Sequence, residues 1–321
     1  MHAIRQHAFG PPEALVLEPV PDPVAGEGQV LIRVGAAGVH LLDTAIRAGV
    51  HGGPFPLPEL PMTPGREVAG EVVDGDPAWR GKRVVAHLGM ASGGYAELAV
   101  APVSSLHELP TQVSYPEAVA TIGTGRTALA VLDKAAITAE DVVVIPAAAG
   151  GIGSVAVQAA RNAGAVVIGL ASEPKLDTVR GLGAHHAYPY TDDWPDQVRA
   201  ELGDREVTVA LDGVGGKPGR QALELLGTAG RMVMFGWSAG APVELHAEDF
   251  YGRGLTVSVP IGRPMISRPG FLRSLETRAL AEVAAGRIRP LTNPPIPLAH
   301  AAQAHRDLEQ RRTVGKVVLI P

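Results

Sequence analysis

The sequence predicts an α/β protein of about two domains, and three observations carry that expectation. Its 321 residues, 46% hydrophobic and 19% charged, exceed what one domain of roughly 100–200 residues needs. Aromatic residues supply only 4%, while Gly and Pro number 39 and 28, so the core must come from Ala, Val, Leu and Ile in short elements joined by tight turns. From Asp141 onward, strand-like and helix-like runs alternate, the pattern of a parallel sheet covered on both faces.

From Met1 to about Pro110 the chain consists of short β-type runs punctuated by Gly and Pro. In QVLIRV, Val30, Ile32 and Val34 share one face, and EVAGEVV, KRVVAHL and YAELAVA have the same texture. The stretch from Gly49 to Gly65 is too rich in Gly and Pro for helix or strand and predicts a long loop, functional or disordered. Ser114-Tyr-Pro-Glu117 fits a capping box opening a helix, and Thr127 to Lys134 continues the helical character. DVVVIPA reads as a buried strand, after which Ile152, Val155, Ala156, Ala159 and Ala160 recur at helical spacing. AVVIGLA, VTVALD, RMVMFG and LTVSVP read as further strands, with the helix-like PGRQALELL among them. After Pro260 the alternation stops: a long helix from Phe271 to Ala285, a Pro-rich stretch, a helix from about Ala299 to Arg311 and a last strand, GKVVLIP, follow. No repeat at solenoid spacing is present.

The formal charge is −5, and no basic cluster interleaves with aromatics, which argues against a nucleic-acid partner. Cysteine is absent; disulfides, a nucleophilic thiol, Fe–S ligation and thiolate zinc sites are therefore excluded. MHAIRQHAFG has no apolar signal-peptide core, and the longest mostly apolar stretch, around Ala163 to Ala171, falls far short of the roughly 18 residues that span a bilayer. No membrane association and a cytoplasmic location are expected.

The sharpest motif runs from Ala147 to Ser172, AAAGGIGSVAVQAARNAGAVVIGLAS. A strand ends in a Gly-rich turn and a helix starts at once, so small residues admit a pyrophosphate while the helix N-terminus offers amides and positive dipole. Against GxGxxG, Gly150 and Gly153 take the second and third positions, Ala148 replaces the first, Gly151 is extra, and Ile152 completes the turn. A second strand follows about 20 residues on, where an NAD-selective site would carry Asp or Glu. Here Ala171 and Ser172 stand there, with Lys175 just beyond, which favours NADPH. Glu173 either turns to solvent or binds the ribose itself, and Lys175 either pairs a 2′-phosphate or is a solvated helix-end lysine.

With these motifs the chain resembles the zinc-independent quinone oxidoreductases related to zeta-crystallin, within the medium-chain dehydrogenase/reductase superfamily. GPPEALVLE, GVHLLDTAIRAG, PGREVAGEV, AAAGGIG, LDGVGG, FGWSAG and VGKVVLIP carry the resemblance nearly end to end. It implies a GroES-like β domain from residues 1–119 and 264–321 and a Rossmann doubly wound domain from 120–263. Zinc-dependent relatives carry Cys where His40 stands and His where Arg66 stands. His40 with Glu67 offers two donors of ligand type, but Arg66 brings a cation and no third donor is evident, so no metal is expected.

Zinc-free relatives usually carry Asn at the position of His40 and often Tyr at that of Ala45, which leaves the substrate class open. The resemblance places His40 beside the nicotinamide, either as the proton source or as a residue closing a backbone hydrogen bond before Asp43. Asp43 and Arg47 are expected to fix the local backbone by ion pairing. Thr127 resembles a threonine near the nicotinamide amide, or is an ordinary helix threonine. Tyr190, Gly236 and Ser238 resemble positions lining the adenosine and pyrophosphate groove, although Tyr190 could equally be a packed aromatic. Lys316 matches a lysine near the cofactor, or is a surface charge on the last strand. The implied activity is NADPH-dependent hydride transfer to a quinone or α,β-unsaturated carbonyl. The alternatives are an enoyl thioester reductase on the same fold and an NADPH-binding scaffold or sensor without turnover. LTVSVP, as an apolar edge strand, predicts a homodimer.

Overall fold

The computed structural model describes residues 1–50, 56–89 and 92–321. The chain divides into two units, Met1–Gly125 with Glu276–Pro321, and Arg126–Leu275. The first unit opens with the antiparallel pair β1 (His2–Gln6) and β2 (Leu15–Pro19). There follow β3 (Gln29–Val39), α1 (Leu41–Ala48), β4 (Glu67–Gly75), β5 (Arg83–His87), β6 (Leu98–Pro102), β7 (Leu106–Glu108) and α2 (Tyr115–Ile122). β3 pairs antiparallel with both β4 and β6, and the sheet continues through β5 to β7. The two-residue period sorts its side chains: Val30, Ile32 and Val34 meet Val68, Val72 and Val84 in one cluster. Ala69 and Val85 face the other way, joined by Ala36, whose phase is flipped by the register shift between Val34 and Ala36, and they are covered by Ala118, Val119 and Ile122 of α2. The Ser114 capping box opens α2 as its sequence predicts, with the Ser114 amide donating to Glu117 Oε2 at 2.9 Å. Of the Gly49 to Gly65 loop, residues 51–55 lie outside the described residues; residues 56–65 form neither helix nor strand beyond a bridge between Met62 and Gln6.

The second unit is built from the part of α3 (Thr124–Ala135) after Gly125, β8 (Val142–Ile145), α4 (Gly151–Asn162), β9 (Val166–Ala171), α5 (Leu176–Gly181) and β10 (His186–Pro189). α6 (Trp194–Leu202), β11 (Val207–Asp212), α7 (Gly216–Leu225), β12 (Leu226–Met234), α8 (Ala247–Arg253) and β13 (Thr256–Ser258) complete its sheet. All six strands are parallel, in the spatial order β10-β9-β8-β11-β12-β13. Both faces are buried: Val143 and Ile145 pack with Ala156 and Ala160 of α4, while Val142 and Val144 pack with Trp194 of α6 and Leu223 of α7. This is the doubly wound Rossmann arrangement, and its order reverses between β8 and β11, where such sheets open a ligand crevice.

α9 (Arg263–Ile266) and α10 (Phe271–Ala284) follow, then β14 (Ile296–Pro297), α11 (Ala301–Glu309) and β15 (Val317–Ile320). β15 pairs antiparallel with β3, so the end of the chain completes the first unit's sheet.

Candidate active site

In the second unit, the Gly-rich turn lies between β8 and α4, at the point where the strand order reverses. The left-handed residue of the turn is Ala147, with φ 53°. Ala148, in the place of the motif's first glycine, is fully buried and its amide bonds Leu170 O at 2.9 Å. A Cβ on Gly153 would come within 2.2 Å of Ala147 O, and one on Gly150 within 3.2 Å; only glycine lets the first turn of α4 sit so close. Gly150 is the N-cap and has no side chain to cap with. The first amides of α4, at Gly151 and Ile152, thus remain for an anionic group, which the helix dipole also favours. The cradle fits a dinucleotide pyrophosphate.

The other second-unit residues expected at the cofactor lie at the C-terminal ends of the strands; Lys316, also expected near the cofactor, lies in the first unit. Tyr190 follows β10 and its hydroxyl accepts the Ala147 amide, so the ring leans on the Gly-rich turn. Ser172 stands exposed after β9, followed by Glu173, Pro174 and Lys175 in one 3₁₀ turn. Glu173 is exposed; Lys175 is half-buried, and burial lowers its pKa. Beyond β12, the Ser238 amide donates to Gly213 O at 3.2 Å, and a Cβ on Gly236 would lie 3.0 Å from that same oxygen. Asp212, fully buried at the end of β11, accepts the amides of Val214 and Gly215; burial raises its pKa against these bonds. Thr127 is half-buried in α3.

His40 belongs to the first unit, between β3 and α1. Its amide donates to Asp43 Oδ2 at 2.8 Å, which caps α1. Asp43 also accepts from Arg66 Nε and from the Tyr95 hydroxyl, both at 3.3 Å, and that hydroxyl lies 3.1 Å from His305 Nε2. Burial and the neighbouring Asp43 carboxylate push the Tyr95 phenol well above its ordinary pKa, so it keeps its proton. Asp43 does fix the local backbone, but its cation is Arg66; Arg47 instead pairs with Glu309 at 2.7 Å.

The His40 ring meets two charged groups. Glu67 on β4 is fully buried and lies 2.7 Å from His40 Nε2 and 2.7 Å from Lys316 Nζ; Lys316 Nζ lies 2.8 Å from the same ring nitrogen. A Cβ on Gly123 or Gly38 would come within 2.0 or 2.3 Å of the Glu67 carboxylate, so two glycines open the space it fills. Burial opposes ionisation of Glu67, yet His40, Lys316 and His87 outweigh it and hold its pKa well below the usual carboxylate range. Burial lowers the Lys316 pKa against the pull of Glu67. Lys316 is only 4% exposed and is enclosed beside Glu67 and His40, not a surface charge. It also corrects the expected electrostatics: the cation beside His40 and Glu67 is Lys316, because Arg66 turns to Asp43. A zinc ion does not fit here, since the ammonium already stands within 2.8 Å of both donors. Among the described residues no group of three or more His, Asp or Glu could hold a metal.

The Glu67–Lys316 pair was within reach of strand periodicity. Glu67 and Ala69 share a strand phase, as do Lys316 and Val318, and Ala69 and Val318 belong to one buried cluster. Two opposite charges in phase with buried positions imply pairing. Nothing in the local sequence links Tyr95 to His305, 210 positions apart.

Residues 26–111 match the alcohol dehydrogenase GroES-like domain, and residues 151–271 match the zinc-binding dehydrogenase family. The chain is 32% identical to the quinone oxidoreductase of Sus scrofa, over 100% of this chain and 98% of that one. It is also 32% identical to a 2-haloacrylate reductase of Burkholderia sp, over 98% and 97%. The Escherichia coli quinone oxidoreductase, solved as a complex with NADPH, superposes with a TM-score of 0.86 at 29% identity, covering 100% of this chain and 99% of that one. Full-length identity and shared fold agree: the chain belongs to the quinone oxidoreductase family of the medium-chain dehydrogenase/reductase superfamily.

Proposed function

We propose that this protein is an NADPH-dependent reductase that delivers hydride to a quinone or an α,β-unsaturated carbonyl. The observation that carries the cofactor is the Gly150–Gly153 turn at the sheet's switch point, followed by a second strand ending in Ala171 and Ser172. Gly151 and Ile152 offer amides to the pyrophosphate, and Ser172 with Lys175 receives the 2′-phosphate. NADPH, when bound, supplies the hydride. Thr127 and His40 are the chain's own candidates for nicotinamide and substrate. An imidazole can donate a hydrogen bond or a proton to the oxygen on which charge develops. The relative named 2-haloacrylate reductase supports conjugated double bonds among the acceptors. We further propose a homodimer formed along β13.

The test is NADPH oxidation against quinones, enals, enones and enoyl thioesters under identical conditions. Turnover of quinones or enones is expected. Turnover confined to enoyl thioesters would make the protein an enoyl thioester reductase. Tight NADPH binding without oxidation by any acceptor would make it a scaffold or sensor.

A further inference from the structure

We propose that Glu67 and Lys316 are positioning residues for His40: they hold its imidazole by Nε2, select its neutral tautomer and govern the pH at which the ring gives up its proton. The role assigned to that proton rests on the reductase reading above; the arrangement itself rests on the geometry. Nε2 faces a carboxylate oxygen at 2.7 Å and an ammonium nitrogen at 2.8 Å, and it has one site for one proton. When the ring is neutral, Lys316 donates to the Nε2 lone pair, which leaves the proton on Nδ1. When the ring is an imidazolium, the Glu67 carboxylate, with Oε1 2.7 Å from Nε2, stabilises its charge as an ion pair. In both states Nε2 is engaged inside the unit, and Nδ1–H is the donor left for substrate.

Transfer then balances simply. The Nδ1–H bond of the imidazolium breaks, an O–H bond forms on the reduced acceptor, the nicotinamide hydride supplies both electrons, and solvent reprotonates the ring. Other charged groups are close enough to enter the titration: His87 on β5 faces Glu67, and Asp43 and Arg66 act on Lys316. The midpoint therefore belongs to the cluster. Its two principal members pull in opposite directions, because the anion favours the imidazolium and the cation opposes it.

The experiment reads the His40 ring directly by NMR on the full-length protein with labelled histidine, without cofactor. The His40 signal is identified by its loss in His40→Asn. Neutral wild-type His40 should carry its proton on Nδ1. Lys316→Met should move the proton to Nε2 and raise the titration midpoint by roughly a unit, while Glu67→Gln should lower it by a similar amount. Lys316→Arg, which keeps the cation, should retain the wild-type tautomer. Midpoints that stay put or move together would overturn the proposal, as would an unchanged tautomer in Lys316→Met. Should Lys316→Met fail to fold, Glu67→Gln decides alone: an unchanged or higher midpoint overturns the assignment. A separate arm tests the reductase reading, with 1,4-naphthoquinone and NADPH: His40→Asn should lower kcat and flatten its pH profile. A flat ring titration response with an altered kcat profile would sink only the positioning proposal. The reverse pattern would sink only the proton-donor role.

Discussion

At Ser172 the chain lacks the carboxylate that would accept the ribose hydroxyls, and the half-buried Lys175 lies three residues on. A charge-assisted contact of about 1.5–3 kcal/mol corresponds to roughly 10- to 150-fold in affinity. Lys175→Ala should therefore weaken NADPH by that factor and NADH far less, measured by titration calorimetry; equal loss for both would assign the phosphate to other groups. His305 makes a different prediction. It is fully buried beside Tyr95, its Nδ1 has no hydrogen-bond partner, and burial pushes its pKa down to about 4. The unfolded chain binds that proton from about pH 6.5 downward and the native chain does not. Stability is thus fully present above pH 6.5 and falls by about 3 kcal/mol as pH drops toward 4. Urea unfolding across that window should show the slope, and His305→Gln should reduce it; an identical slope in the variant would place the acid sensitivity elsewhere. His40 and Lys316 were legible one at a time, from motifs. Their meeting was not, because positions 40 and 316 come together only when β15 pairs with β3.

Gly153 and Gly181 show what close approach requires of a helix. A Cβ at Gly153 would meet Ala147 O at 2.2 Å, whereas one at Gly181, in α5, meets nothing within 4 Å. Gly153→Ala should cost about 1–3 kcal/mol by forcing α4 off the turn, and should weaken NADPH binding as the cradle opens. Gly181→Ala should be neutral or stabilise by about 0.4–1 kcal/mol, since it mainly restricts the unfolded chain. Thermal unfolding and cofactor titration of the pair check both; equal effects would refute the packing argument. The elements that sequence predicts well are those whose apolar period is unbroken, such as β3, β8, β9 and α4. Two escaped. α1 lies in GVHLLDTAIRAG, where an amphipathic run of only eight residues follows directly on a strand. β10 is His-Ala-Tyr-Pro, with no apolar run of its own, and it is a strand because its backbone pairs with Ile168–Ala171 of β9. Conversely, of LTVSVP only Thr256–Ser258 pairs with β12, because the following Pro260 cannot donate to a ladder.

For the whole molecule, the edge of the parallel sheet sets the expected assembly. Among the described residues β13 ends the strand order and pairs only with β12. An open strand edge presents unsatisfied amides and carbonyls, which proteins blunt with charge or cover with another chain. Neither β13 nor its flanks carry a charge from Leu255 to Gly262, and two large apolar side chains flanking it in sequence are exposed, Tyr251 at 90% and Val259 at 53%. A two-fold axis beside β13 would satisfy both edges at once, because the same surface serves each copy. The chain mass is 33.3 kDa; light scattering at micromolar concentration should return twice that value. Val259→Lys and Tyr251→Lys together should shift the population to monomer, since two like charges would then face their symmetry mates across the axis. NADPH affinity should be unchanged in that variant, because neither residue belongs to the Gly-rich turn or to the end of β9. Monomer mass in the parent would remove β13 as an interface, and a dimer that survives both lysines would place the contact on another surface.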